Sequence, residues 1–153
     1  LAAYEAGESM VTLQRGAWGE LGAEAGALRR EVFVDDLKWP AWLAGDDTDA
    51  DALHVVVRNR LGRVVACGRL TRGAEAGQSQ LSRMAVLSGL QGSGLGRRLL
   101  DEMVGAARDR GDRDLGLHAN EGARAFYAAA GFMPRGEVYE EAGLPHLCMG
   151  LAL

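Results

Sequence analysis

Hydrophobic residues follow two periodicities along this chain, and the changes between them delimit the predicted elements. Apolar positions three and four residues apart predict amphipathic helices over residues 17–35, 94–110 and 121–131, the last ending at Gly131 as its C-cap. Short β-branched runs predict seven strands, at residues 10–16, 53–59, 63–70, 79–87, 115–119, 132–140 and 146–153. The segment 39–52, a loop or short helix, and the turn 72–78 lie between them.

The order of these elements, β-α-β-β-β-α-β-α-β-β, predicts the fold class. Three strands in succession, the first two joined by a hairpin turn at residues 60–62, indicate antiparallel pairing, whereas later strands alternate with helices as in parallel crossovers. We therefore expect an α/β protein, with a mixed sheet and helices on both faces. A length of 153 residues fits one domain, which we expect to span residues 1–153.

Composition narrows the classes of function. A net charge of −4, with Lys38 as the only lysine, gives no support to a nucleic-acid partner. No apolar run approaches the length of a membrane-spanning helix, and the first ten residues lack the basic and apolar segments of a signal peptide. We therefore expect a cytoplasmic protein with no membrane partner.

Two features of the sequence raise the question of a disulfide or a metal. Cys67 and Cys148 each lie in an apolar strand, which favours buried free thiols, and two cysteines are too few for a zinc site. The acidic run 46–51 begins like a calcium loop, but Ala52 and Arg58 stand where that loop requires glycine and glutamate. We expect a solvated loop and no metal.

A glycine-rich loop carries the clearest chemical signal. Gly92, Gly94 and Gly96 lie between a predicted strand and a predicted helix, where unpaired amides and the helix dipole attract anions. Arg97 and Arg98 follow in the first turn, where a helix dipole favours acidic residues. The G-x-G-x-G spacing and the Arg-Arg pair match neither the dinucleotide nor the P-loop fingerprint. A phosphate loop and a glycine-rich turn with no ligand both stay open.

With Gln91 included, the loop reads Q-G-S-G-L-G and resembles the pyrophosphate loop, Q/R-x-x-G-x-G/A, of the GNAT superfamily of GCN5-related N-acetyltransferases. The stretch "NEGARAFYAAAGF" is similar to a second motif of that family. Its matching positions are Asn120, Ala123, Phe126, Tyr127, Gly131 and Phe132. The chain also resembles the ElaA-like branch in "SRMAV" and "GEVYEEAGLPHLCM". It departs from that branch at residues 32–37, "VFVDDL" for V-F-V-x-E-Q, which leaves acceptor specificity open.

The resemblance implies transfer of an acetyl group from acetyl-CoA to a primary amine by direct attack in a ternary complex, without a metal. It implies that amides of the glycine loop bind the pyrophosphate, and that the N–H of Val86 polarises the thioester carbonyl. Asn120 would contact the pantetheine arm or cap its helix, and Arg124 would meet a CoA phosphate or solvent. The implied cofactor-binding residues are Met84, Ala85, Val86, Gln91, Gly92, Ser93, Gly94, Leu95, Gly96, Arg97, Arg98, Asn120, Arg124, Phe126 and Tyr127.

Catalytic roles are harder to assign. Tyr127 is the candidate general acid that protonates the departing thiolate, with a core aromatic as the alternative. The strand 79–87 offers no acid as a base, and the candidates elsewhere are His118, His54, Glu141 and His146. His118 is a candidate base or substrate contact. His54, Glu141 and His146 are candidate acceptor contacts. Their alternatives are a satisfied strand-end histidine and hydrogen bonds that hold a turn.

Two other classes of function compete with an acetyltransferase. One is a CoA-binding sensor or interaction module without catalysis, and the other is a nucleotide-binding domain of another type. The acceptor stays open among small amines, antibiotics, peptide N-termini and protein lysines, as does the length of the acyl group. Because many members of the family are dimers, the resemblance favours a homodimer.

Overall fold

Eight strands form one sheet in the described part of the chain, residues 11–141 and 143–153 of a computed structural model. The strands are β1 (Thr12–Ala17), β2 (Leu53–Arg58), β3 (Val64–Arg72), β4 (Gln78–Val86), β5 (Asp114–Asn120), β6 (Met133–Pro134), β7 (Tyr139–Glu141) and β8 (Leu144–Ala152). Their order is β1-β2-β3-β4-β5-β8-β6, and β7 pairs with β8. Only β4 and β5 run parallel, so the sheet is mixed, as predicted.

Three α-helices of the described residues connect these strands. They are α1 (Trp18–Arg29), α2 (Leu95–Asp109) and α3 (Arg124–Ala129). A π-helical turn, Arg30–Asp36, extends α1, and 3-10 turns lie at Ala41–Ala44, Asp47–Asp51, Ser88–Leu90 and Glu121–Ala123. In the part of the chain that the structure describes, no helix has both the length and the apolar character needed to cross a bilayer.

The helices cover both faces of the sheet, which confirms the predicted architecture. Because side chains alternate along a strand, Val55 and Val57 of β2 pack toward α2, whereas Val56 packs toward α1. We call these two sides the α2 face and the α1 face. Each face buries its own apolar cluster, one around Leu99 and Met103 of α2 and the other around residues of α1. Hydrophobic burial on both sides therefore fixes the sheet between its helices.

Two predicted elements differ in the structure. The helix predicted over 17–35 ends as an α-helix at Arg29, and a wider π turn follows that keeps Val32 and Phe33 buried on the α1 face. The prediction of a single strand over 132–140 is wrong, because this segment forms two short strands, β6 and β7. Pro134 lacks an N–H for pairing, and Gly136 turns the chain with φ +99°. The first strand begins at Thr12; Met10, also predicted in it, lies outside the described residues.

Candidate active site

The parallel strands β4 and β5 separate halfway along their length and open a cleft. They pair only from Gln78 opposite Asp114 to Leu81 opposite Leu117. Beyond that point the end of β4 pairs with β3 alone, and His118–Asn120 of β5 pair with β8 alone. The two facing edges keep backbone groups without a strand partner across the gap. We call the gap between residues 82–86 and 118–120 the cleft.

A bulge in β4 lies at the start of the cleft. Arg69 pairs with Ser82 and Cys67 pairs with Ala85, so Arg83 and Met84 stand opposite a single residue of β3. Arg83 adopts φ +54°, a left-handed conformation that is strained for a residue with a side chain. The extra residue bends β4 away from β5, and the bulge therefore widens the cleft.

The end of β4 directs one peptide group into the cleft. The N–H of Leu87 donates to the Val65 carbonyl at 2.9 Å, so the neighbouring N–H and C=O of Val86 point away from β3. Ala85 faces β3 instead, and its side chain is buried on the α1 face. The Gln91 amide donates to the Val86 carbonyl at 3.4 Å, which links the glycine loop to the cleft edge. Of these residues, Val86 is the one placed to hydrogen-bond a ligand in the cleft.

The glycine loop leads into α2 with its amides directed outward. Gly92 and Gly94 have φ values of +81° and +88°, which only glycine adopts readily. The first intrahelical bond runs from the N–H of Arg98 to the Gly94 carbonyl at 3.1 Å. The amides of Leu95, Gly96 and Arg97 precede it and point out of the helix end, where they can bind an anion. This geometry fits a phosphate group.

Side chains in and after the glycine loop are less available to bind an anion than the sequence suggests, because they bond within the protein. The Ser93 hydroxyl donates to the Leu90 carbonyl, within the loop itself. The Arg97 guanidinium donates to Asp101 at 2.9 Å and to the Ala129 carbonyl at 3.4 Å. Asp101, one turn further along α2, therefore partly neutralises the charge of Arg97. Anion binding falls to the backbone amides rather than to this side chain.

Tyr127 lies at the α2-face side of the cleft. Its hydroxyl contacts the sulfur of Met84 on β4 at 3.8 Å, and its ring packs edge-on against Phe126 and Phe132. Burial raises the pKa of the Tyr127 phenol above its ordinary value of 10.0. The hydroxyl therefore keeps its proton near neutral pH and can donate it in the cleft.

Other residues of α3 and its approach take structural positions. The Asn120 side chain accepts from the N–H of Gly122 at 2.8 Å and caps the following turn, which was one of its two predicted roles. Arg124 pairs with Glu121 at 3.1 Å. A Cβ on Gly96 would stand 3.6 Å from the ring of Phe126, so Phe126 packs over the start of α2.

His118 belongs to a polar group on the α1 face of β5 and β8. Its Nδ1 lies 2.7 Å from the Tyr139 hydroxyl and 3.3 Å from the Cys148 sulfur. Burial, and then Cys148 and Glu141, raise the pKa of Tyr139. The histidine is exposed and lies on β5 beside the cleft, and β7 positions its tyrosine partner. Both cysteines are free thiols, as predicted. Cys67 is buried, which was also predicted, but Cys148 is only half-buried.

The remaining candidate acceptor contacts lie around the β7–β8 turn. The Nδ1 of His146 contacts the Leu144 carbonyl at 2.9 Å, and the His146 ring lies 6.0 Å from that of Tyr139. Glu141 pairs with Leu144 in the β7–β8 ladder, and its side chain is exposed. Ala142, in the same turn, lies outside the described residues. The histidine therefore does hold the turn, which was one of its two predicted roles.

The acidic run is not the solvated loop that we predicted. Asp46 and Asp49 form a reciprocal capping box on a 3-10 turn, a D-x-x-D pattern that the sequence contains. Asp49 is only 1% exposed and accepts from Arg29 at 2.9 Å and from Arg69 at 3.2 Å. Arg29 is itself fully buried, so the run supplies the counter-charge for a buried guanidinium.

His54 is fully buried in the same cluster, so its prediction as an acceptor contact is wrong. Its Nε2 lies 2.9 Å from the Asp49 carbonyl, and its Nδ1 lies 3.4 Å from Arg29. Burial lowers the pKa of His54, and the nearby Arg29 lowers it further. A neutral ring that donates from Nε2 and accepts at Nδ1 satisfies both contacts. Among the described residues, no group of three or more His, Cys, Asp or Glu could hold a metal ion.

The same cluster predicts acid-sensitive stability. Burial alone would raise the pKa of Asp46, but hydrogen bonds from Thr48 and the charge of Arg69 outweigh it and lower the pKa from 3.8 to about 2. Because the folded pKa is the lower one, this stabilisation is complete above the unfolded value and is lost as pH falls through the folded value. We expect the melting temperature to fall less between pH values of about 4 and 2 in Asp46→Asn than in the parent protein.

Asp47→Asn is the matched control for that titration, because Asp47 is exposed on the same turn. Its acid profile should follow that of the parent protein. Equal slopes for the parent protein and Asp46→Asn would show that Asp46 does not carry the effect.

The structure also reveals residues beside the cleft that we did not predict. Arg83 stands in the bulge at the start of the cleft, and Tyr139 and Cys148 flank His118. The capping pattern at residues 46–49 was visible in the sequence, but a bulge and a cross-strand contact leave no local pattern. They arise from pairing between distant segments.

Comparisons with known proteins agree with this geometry. A family model for the acetyltransferase (GNAT) domain matches residues 26–153. The chain is 30% identical to ElaA of Escherichia coli over 125 residues, which cover 80% of this chain and 81% of that protein. It is 31% identical over 123 residues to the uncharacterized N-acetyltransferase YjcF of Bacillus subtilis, covering 80% of this chain and 86% of that one.

Solved structures show the same likeness. The ElaA structure has a TM-score of 0.82 at 27% identity and covers 92% of this chain and 99% of its own. An acyl-CoA N-acyltransferase of Pseudomonas aeruginosa has a TM-score of 0.83 at 29% identity and covers 93% of this chain and 99% of its own. The chain therefore belongs to the GNAT acetyltransferase family. Within that family it is similar to ElaA in sequence and in fold, as its motifs predicted.

Proposed function

We propose that this protein transfers an acetyl group from acetyl-CoA to a primary amine by direct attack. The observation that carries the proposal is the cleft between β4 and β5, which lies beside the outward amides of the glycine loop and is bordered by the Tyr127 hydroxyl. The similar Pseudomonas aeruginosa protein, described as an acyl-CoA N-acyltransferase, supports an acyl-CoA donor.

The cleft suits an extended thioester. The amides of Leu95, Gly96 and Arg97 would bind the pyrophosphate at the start of α2. The peptide group of Val86 would bind the amide-rich arm or, through its N–H, the thioester carbonyl, where a negative charge develops. These are backbone groups, so the proposal does not depend on loop side chains that are already bonded internally.

The two faces of the sheet separate the nucleophile from the leaving group. Tyr127 touches Met84 on the α2 face, where its proton can reach a departing thiolate. Ser82 and His118 follow the last parallel pair, Leu81 and Leu117, which lie on the α2 face; both therefore lie on the α1 face. An amine that enters from the α1 face would attack a thioester whose sulfur leaves toward Tyr127.

His118 is the base that we favour for the amine. An Nδ1–H that donates to the Tyr139 oxygen leaves Nε2 without a proton and able to accept one. The exposed position of His118 beside the cleft leaves that nitrogen accessible to an incoming amine. The polar side chains of β4 at this point, Gln80, Ser82 and Arg83, include no acid that could serve instead.

Acetyl-CoA should raise the melting temperature of this protein. A ligand at about one hundred times its Kd adds about 2.7 kcal/mol, which corresponds to roughly 5–10 °C for a chain of this size. ATP and NAD are the control ligands. No shift at millimolar acetyl-CoA would overturn the proposal.

Two variants separate the glycine loop from a general effect of glycine. Gly94→Ala and Gly62→Ala replace glycines with φ +88° and +82°, neither of which has a neighbour within 4 Å of the added Cβ. Both should therefore lose about 1–2 kcal/mol of stability. Only Gly94→Ala should weaken the acetyl-CoA shift, because Gly62 lies in the β2–β3 hairpin. Thiol release with a panel of amines then distinguishes an enzyme from a CoA-binding module.

A further inference from the structure

Arg83 has a strained backbone conformation at the edge of the cleft. It stands at the first bulge residue of β4, just beyond the last residues that pair with β5, with φ +54°. Backbone strain of this kind clusters at functional sites. The side chain lies on the α1 face, because it contacts Asp46 and stacks 5.7 Å from the ring of Trp42. It therefore borders the cleft on the side opposite Tyr127.

The ion cluster that contains Arg83 has more positive than negative charge. Three arginines with little exposure, Arg29, Arg69 and Arg83, meet two partner carboxylates, those of Asp46 and Asp49. The neighbouring Asp47 and Asp51 are exposed, where solvent and salt screen their charges. His54 is neutral in the arrangement described above. Within residues 11–141 and 143–153, the cluster thus holds one guanidinium more than its paired carboxylates.

Arg83 is the arginine of the three with the weakest compensation. Asp46 accepts from Arg69 at 2.7 Å but from Arg83 only at 3.3 Å. Among the described residues, the Nε of Arg83, like that of Arg29, is buried and has no hydrogen-bond partner. Burial lowers the pKa of Arg83, and repulsion by Arg69 lowers it further. An anion beside the exposed part of this guanidinium would relieve the repulsion between the arginines.

We propose that the amine acceptor carries a carboxylate and that the Arg83 guanidinium binds it at the α1-face entrance of the cleft. A monoanion fits better than a dianion, since Asp46 already offsets part of the charge of Arg83. The exposed ring of Trp42 fixes the guanidinium plane and offers an apolar surface next to it. The acceptor class is thus an amino acid or a similar amine with a nearby carboxylate. This inference rests on the proposed acetyl transfer.

Matched pairs of acceptors test the proposal. Glycine, L-leucine and L-phenylalanine are compared with their amides, which carry the same amine without the carboxylate. The ammonium group of each amide is the more acidic, so intrinsic reactivity favours the amide. We expect kcat/KM to favour the amino acids nonetheless. Ethanolamine phosphate, a primary amine with a dianionic group, tests the choice of a carboxylate.

Arg83→Gln should lower kcat/KM for the amino acids about 10- to 100-fold and change it for the amides less than about threefold. Arg83→Lys should retain part of the preference, because it keeps the charge but loses the planar fork. Arg113→Gln is the control: it removes the same charge from an exposed residue at the Gly77 turn, at the other end of β4. Its preference for amino acids should match that of the parent protein.

Several outcomes would overturn the inference. These are a preference for amides in the parent protein, an equal loss on both acceptor classes in Arg83→Gln, or the highest rate with ethanolamine phosphate. The acetyl-CoA affinity of each variant, measured by thermal shift, shows whether its cleft is intact. Failure of acetyl-CoA binding in the parent protein would instead contradict the proposed function, so the two failures are distinguishable.

Discussion

Tyr127→Phe should lower kcat by about a hundredfold or more while leaving the KM for acetyl-CoA nearly unchanged. The change removes one hydroxyl, whose contact is the weakly accepting sulfur of Met84 at 3.8 Å. The ring keeps its packing against Phe126 and Phe132, so stability should be close to that of the parent protein. Steady-state kinetics with any accepted amine, together with a melting curve, measure both effects.

The pH dependence of the same variant separates the acid from the base. Because burial raises the pKa of Tyr127, the loss of activity that comes from ionisation of its phenol should occur at alkaline pH. Tyr127→Phe should abolish that alkaline loss, whereas His118→Gln should lower kcat/KM but retain it. If Tyr127→Phe retains a rate within about threefold of the parent, the thiolate leaves without its help.

Asp49→Ala should be the most destabilising single change among those considered. It leaves the fully buried guanidinium of Arg29 without its carboxylate and removes a partner of Arg69. Breaking a buried ion pair from one side costs about 3–5 kcal/mol. For a chain of this size, that predicts a fall in melting temperature of about 10 °C or more, measurable by calorimetry or circular dichroism.

Two further variants show whether the loss of stability in Asp49→Ala comes from the buried ion pair. Asp47→Ala removes the neighbouring exposed carboxylate on the same turn and should change the free energy of unfolding by no more than about 0.5 kcal/mol. Asp49→Asn keeps hydrogen-bond acceptors but not the charge, so its stability should lie between those of the parent and Asp49→Ala. Equal melting temperatures for Asp49→Ala and Asp47→Ala would show that the buried pair contributes little.

Most of the fold could be predicted because its signals are local. The helix expected over 94–110 forms at Leu95–Asp109, and the hairpin around Gly62 forms with the expected strands. The predictions failed where a local pattern competes with a distant contact. In the helix expected over 17–35, Arg29 lies on the buried side, because Asp49 is there to receive it. The periodicity of hydrophobic residues cannot predict that an arginine is buried.

The candidate site likewise has parts that local sequence predicts and parts that depend on contacts between distant segments. By its own composition and order, the sequence determined the glycine loop, the α2 helix behind it and the tyrosine on α3, because φ preferences and side-chain spacing act over a few residues. Only the tertiary structure decided where β4 leaves β5, which placed His118 opposite Ser82, and where the bulge put Arg83. It also decided that His54 is buried, since its partners come from α1 and the acidic turn. Strand separation and ion pairing join residues far apart in the chain, so their energies depend on packing that no short segment contains.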